Sequence, residues 1–89
     1  MDKEKMVYDA FSSALDHTGK APDGIRHVRI ADIIARAGLP APEVIDIIGR
    51  WIDAKFLACS EVDTASPRPA GTVYLMPEGE IFFKPKYRI

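Results

Sequence analysis

The side chains in this chain that could do chemistry are few and scattered. Two histidines, one cysteine and one pair of adjacent serines are the candidates for acid–base, metal or nucleophilic work. His17 and His27 share no metal-ligand spacing with each other, with Cys59 or with a carboxylate pair. Ser12 and Ser13 have no glycine-flanked turn around them of the kind that exposes a nucleophilic hydroxyl. No glycine-rich loop could cradle a phosphate. A single cysteine allows neither an internal disulfide nor a cysteine-based zinc cage. The expectation is a protein with no catalytic residue, no metal and no cofactor, in a reduced, cytoplasmic setting. Cys59 reads as a small packed hydrophobe.

Charged residues offer more. Glu43, Asp46, Arg50 and Asp53 recur at helical spacing on one arc of a segment spanning 41–54, together with Pro42 and Gly49. The opposite half holds Val44, Ile45, Ile47, Ile48, Trp51, Ile52 and Ala54, an apolar stripe with Trp51 as a core anchor. Three carboxylates against one guanidinium leave the polar arc at −2. That arc either docks on a basic protein surface or is simply solvated.

Positive charge collects elsewhere. Residues 1–63 hold 8 basic and 11 acidic side chains, whereas residues 64–89 hold 4 basic and 2 acidic. Arg68 stands between Pro67 and Pro69, which keep it extended, a form suited to a narrow minor groove. Arg26 and Arg29 flank a short branched segment, and Lys84, Lys86 and Arg88 follow near the C-terminal end. Arg26, Arg29, Arg68, Lys84 and Lys86 are the candidates for a phosphate-contacting edge. The alternative is a soluble loop tip and a frayed, charged terminus.

The elements that must carry these groups follow from periodicity and punctuation. Val7, Ala10, Phe11, Ala14 and Leu15 give a helix over 1–17, with Gly19 and Pro22 beyond it. His27 to Ile30 alternates as a brief strand, with His27 exposed on it. Ile30, Ile33, Ile34 and Ala37 form the inner face of a helix over 31–37, stopped by Gly38. Pro42 sits where a first-turn proline is tolerated, at the start of the third helix. Residues 56–62 and 72–76 read as the two strands of a hairpin. The Pro- and Gly-rich segment 64–71 is expected to lie outside central strand or helix. Residues 81–83 fit one more strand or a single helical turn, ended by Pro85.

The order helix, strand, helix, tight turn, helix, hairpin resembles the winged helix-turn-helix superfamily. Arg29-Ile30-Ala31-Asp32-Ile33-Ile34-Ala35-Arg36-Ala37-Gly38-Leu39-Pro40 is similar to its second helix and turn. Glu43 to Leu57 is similar to its third helix running into the exit, basic then two apolar, that starts the first wing strand, and Val73-Tyr74-Leu75-Met76-Pro77-Glu78-Gly79 to the end of its second wing strand, with Met76 where threonine is usual. The resemblance implies an α+β fold with three helices and a three-stranded wing sheet over 1–79, followed by an apolar and basic tail, 80–89. It also implies a small DNA-associated transcription regulator. The third helix of that fold enters the major groove, yet here its face repels phosphate and lacks Ser, Thr, Asn, Gln and Lys. Any contact with duplex DNA is therefore expected to be weak and led by the wing edge. The rival expectation is a protein–protein interaction module that uses the acidic face and binds no DNA.

The balance of the chain limits partners further. With 12 Lys+Arg against 13 Asp+Glu there is no global attraction to nucleic acid or anionic lipid. No apolar run approaches the roughly 18 residues a membrane span needs, and no basic segment leads into an apolar one as in a secretory signal. Ile81, Phe82, Phe83, Tyr87 and Ile89 follow a core that already looks complete. They pack either on the first helix of their own chain or on a second subunit. A homodimer using the first helix with Ile81, Phe82 and Phe83 is the expectation.

Overall fold

The computed structural model describes residues 2–62 and 69–87. It is an α+β fold of four helices and one three-stranded antiparallel sheet. Among the described residues no helix is long and apolar enough to cross a membrane.

Helix α1 spans Lys3–Asp16. Asp2 caps it, its Oδ1 accepting from the Glu4 and Lys5 amides at 3.0 and 3.2 Å. Val7, Ala10, Phe11 and Ala14 form its buried stripe. The helix ends at His17, before Gly19 is reached, because side chains satisfy its last carbonyls. His17 Nδ1 lies 2.8 Å from the Ser13 carbonyl, and the Thr18 hydroxyl donates to the Ala14 carbonyl at 2.7 Å.

Strand β1 is only Val28–Arg29, and helix α2 takes over at once, spanning Ile30–Ala37. Gly38 closes α2 in the left-handed conformation (φ 71°), which a side chain would resist. Helix α3 spans Ala41–Asp53, with Pro42 in its first turn as the sequence requires. Its exit is a Schellman turn: the Phe56 amide donates to the Trp51 carbonyl at 2.9 Å and the Lys55 amide to that of Ile52 at 3.0 Å. Lys55 occupies the left-handed position (φ 70°) that glycine usually fills. Lys55→Gly is therefore expected to stabilise the protein by about 1 kcal/mol, read as a higher urea midpoint at constant m-value. No change, or a loss, would show that Lys55 contributes contacts that offset its strain.

Strands β2 (Leu57–Val62) and β3 (Pro69–Leu75) form the hairpin, and β1 joins the far side of β3 to give the order β1-β3-β2. Val28 faces Val73 and Arg29 faces Thr72, so the short strand does lie beside the hairpin. Residues 69–71 correct the expectation that the Pro- and Gly-rich segment stays out of the central strand, because β3 is central and begins at Pro69. The proline is tolerated since β3 has one partner at that level: Pro69 faces Val62 in β2, and β1 pairs only further along, at Thr72 and Val73.

The largest departure lies in the tail. Residues 77–87 form helix α4 (Pro77–Tyr87), neither a strand nor a single turn, and the helix continues through Pro85. Glu78 and Glu80 lie in its first turn and Lys84 and Lys86 in its last, the polarity favoured by the helix dipole. Tyr87, two residues past Pro85, is buried and stacks on Tyr8 at 4.8 Å, although its hydroxyl finds no hydrogen-bond partner among the described residues. Phe83 is 1% exposed and packs against Tyr8 and Trp51, both at 4.9 Å between ring centres. Phe82 stacks on Phe56 at 4.2 Å. The structure thus moves Phe83 from an expected subunit interface into the core of its own chain. Phe82 is half-buried beside it, and Ile81 is 75% exposed. The core then runs continuously from α1 through α2, α3 and the sheet to α4, with Val7, Phe11, Ile33, Val44, Ile48, Leu57, Val73 and Phe83 at its centre.

Candidate functional site

Two surfaces carry the charged candidates, and the fold treats them differently. On α3 the inward residues Val44, Ile47, Ile48 and Trp51 are buried, which turns Pro42, Asp46, Arg50 and Asp53 to solvent. Ile45 and Ile52, one flank of the same helix, are only half-buried, and Ala54 is exposed at the C-cap rather than inward. The other flank is tied to α1. Lys3 Nζ lies 2.7 Å from Glu43 Oε1, and Arg50 Nη1 donates to Glu4 Oε1 at 3.2 Å. Arg50 Nε also lies 3.9 Å from Asp46 Oδ2, one turn back on α3. Glu4 takes a second cation through its other oxygen, with Lys86 Nζ at 3.7 Å. Each of these exposed pairs contributes at most about 1 kcal/mol. Their effect here is positional. Arg50, the one cation of the outer arc, is engaged by two carboxylates, while Asp46 stays 78% exposed. The outward centre of α3 is therefore anionic.

The basic candidates do not form one edge. Arg26 and Arg29 are exposed on the β1 side of the sheet, and among the described residues neither guanidinium makes a hydrogen bond or ion pair. Lys84 lies 3.9 Å from Glu80 within α4. Lys86 sits over the rings of Phe82 and Tyr87, at 4.9 and 5.4 Å, and beside Glu4 at the start of α1. The tail cations thus fold against α1 and α4 rather than joining β1. Arg68 and Arg88 lie outside the described residues.

Arg26 is presented by an ordered loop. Asp23 Oδ1 accepts from the Ile25 amide at 2.9 Å, and Asp23 Oδ2 lies 3.0 Å from His27 Nε2. The bond from His27, and then that from Ile25, hold the Asp23 carboxyl below its ordinary range. His27 also meets Tyr74 edge-on at 5.3 Å. It is half-buried and precedes β1, so it is not the exposed strand residue expected from alternation. His27 thus ties the loop that carries Arg26 to the sheet beside Arg29.

The remaining candidates lie apart from these surfaces. Trp51 is 4% exposed, as its helical position predicts. Cys59 is half-buried in β2. Burial, then the carboxylates of Asp9 and Asp16, raise the Tyr8 phenol, and burial likewise raises that of Tyr87. Among the described residues no group of three or more His, Cys, Asp or Glu side chains could hold a metal ion. Sequence reasoning missed the roles of Lys3, Glu4 and Asp23. Lys3 and Glu4 meet partners 40 and 46 positions away, beyond the reach of any local spacing rule. Asp23 followed by Gly24 carried a readable signal for an Asx turn, the bond its Oδ1 accepts from the Ile25 amide, whereas its contact with His27 follows from no turn rule. Comparison of the chain with family models, curated proteins and solved structures gives no match.

Proposed function

We propose that this chain is a small winged-helix regulatory protein that meets duplex DNA through the β1 edge and the hairpin, not through α3. The element order and the sheet order β1-β3-β2 support the winged-helix reading. The observation that carries the contact surface is the contrast between guanidiniums. Arg26 and Arg29 are exposed without a carboxylate partner among the described residues, whereas Arg50 on α3 is held by Glu4 and Asp46 beside exposed carboxylates. Phosphate has open cations to meet at the sheet edge and none at the helix.

Binding through so few cations is weak, sequence-tolerant and salt-dependent. Fluorescence anisotropy on random duplex should give a log–log salt slope near −2 to −4, for about three to four phosphates neutralised. Arg26→Ala with Arg29→Ala should lower affinity on every sequence and flatten that slope by roughly 2. Unchanged affinity in the double variant, or no binding at about 50 mM salt, removes this reading.

A second reading is favoured by one specific feature, the half-buried Ile45 and Ile52 beside exposed Asp46 and Asp53. Apolar and acidic groups side by side suit a basic protein surface better than a nucleic acid. A basic peptide in place of the duplex separates the two. Asp46→Lys with Asp53→Lys should weaken binding of that peptide if the α3 face meets a basic protein, whereas Arg26→Ala with Arg29→Ala should weaken only duplex binding.

A further inference from the structure

Helices α1 and α2 meet through small residues. Ala10 and Ala37 are both buried at the contact, and short side chains there leave space alongside. The space is an open cleft of about 430 Å³ lined by Met6, Asp9, Ala10, Ser13, Arg36 and Ala37. Its volume falls at the small end of the range that holds organic ligands, about 300–1,000 Å³. Met6, Ala10 and Ala37 make an apolar floor, and Arg36 stands at one end in the last turn of α2. Arg36 Nη1 donates to Ser13 Oγ at 2.9 Å. Among the described residues its guanidinium meets no carboxylate, so most of its donors are open. Asp9, the one carboxylate on the lining, is already matched by Lys5 at 3.0 Å. A ligand anion therefore reaches Arg36 without displacing a protein anion.

We propose that this cleft binds a small organic monocarboxylate with a compact apolar body. Arg36 takes the carboxylate as a two-pronged donor, Ser13 adds a hydroxyl, and the apolar body lies on Met6, Ala10 and Ala37. One guanidinium neutralises one negative charge. The next cation, Lys5, is committed to Asp9, so a phosphate dianion would be left half-compensated. The site is independent of whether the chain binds DNA.

The test is a methyl and amide NMR titration of the full chain with benzoate, acetate, benzamide and inorganic phosphate. Benzoate should shift the Met6, Ala10 and Ala37 methyl signals with a dissociation constant of about 1 mM. Acetate, lacking the apolar body, and benzamide, lacking the charge, should each bind at least about 5-fold more weakly, and phosphate likewise. Arg36→Gln should weaken benzoate at least about 10-fold while lowering the melting temperature by no more than about 8 °C, for the lost Ser13 bond, and Ser13→Ala about 2- to 3-fold. Equal binding of benzoate and benzamide, equal binding of benzoate and phosphate, or an unaltered titration in Arg36→Gln would overturn the proposal. So would the absence of shifts at these methyls with benzoate at about 20 mM, far above the expected constant.

Discussion

Phe83→Ala should cost about 3–5 kcal/mol, the largest loss expected from any single truncation in α4. The phenyl ring lies at the junction of α1, α3, α4 and the start of β2. Its ring centre is 4.9 Å from both Tyr8 and Trp51, 5.3 Å from Phe82 and 5.8 Å from Phe56. Alanine would leave a hole among large rigid rings that cannot collapse without moving a helix. A small domain has about 5–15 kcal/mol of total stability, so the variant should sit near the folding threshold. Its melting temperature should fall by more than about 12 °C, since each kcal/mol shifts a domain of this size by roughly 4–8 °C. Phe83→Leu nearly conserves volume and should cost less than about 1.5 kcal/mol, which keeps the comparison measurable if the alanine variant does not fold. A Phe83→Ala melt within about 3 °C of the parent would mean that α4 is not part of the core.

The same packing assigns three of the five apolar residues that follow the hairpin to their own chain, while Ile81 stays exposed and Ile89 lies outside the described residues. Five large apolar residues after an apparently finished core could serve a second subunit or their own chain. Phe82, Phe83 and Tyr87 are taken up internally, by Phe56, Trp51 and Tyr8 respectively. Removing residues 80–89 should therefore destabilise the fold of the chain itself, read as a lower melting temperature.

What could be read in advance was whatever depends on neighbours within one turn or one strand. The apolar stripes of α1, α2 and α3, the stop at Gly38, the inward Trp51 and the hairpin all follow from local periodicity and turn chemistry. The tail escaped because its stability is not local. Pro85 removes a helical hydrogen bond, and by propensity alone it should end the element. The helix nonetheless includes Pro85 and brings Tyr87 onto Tyr8, a residue 79 positions earlier that no local rule could connect to it. The charged candidates divide in the same way. The acidic arc of α3 was legible from 100° steps. Capture of Arg50 by Glu4 was not, nor was the turn of Lys86 toward α1 instead of the sheet edge. A count of basic residues near the C-terminal end put Lys84 and Lys86 with Arg26 and Arg29, and the helical path of residues 77–87 takes them elsewhere.

Gly79 gives the second large effect, and its sign runs against helix propensity. In an exposed helix, alanine in place of glycine stabilises by up to about 1 kcal/mol. Gly79 is instead buried in the first turn of α4, pressed on the backbone of Phe56. The added methyl would fall inside the Phe56 carbonyl oxygen and at 3.0 Å from Leu75 Cδ1. That oxygen also accepts the Met76 amide at 3.0 Å, so it cannot swing aside without breaking the link that leads from β3 into α4. Either α4 lifts away or the β2 start is pushed back, and both disturb the Phe56–Phe82 stack, whose rings lie 4.2 Å apart and 10° from parallel. Gly79→Ala should lose about 2–3 kcal/mol in urea unfolding and reduce the near-ultraviolet aromatic signal. Gly19→Ala is the matched control, because a methyl there meets nothing within 4 Å. It should change stability by no more than about 0.5 kcal/mol. If Gly79→Ala is as stable as the parent with its aromatic signal intact, α4 does not dock on Phe56 as described, and the core must be drawn without it.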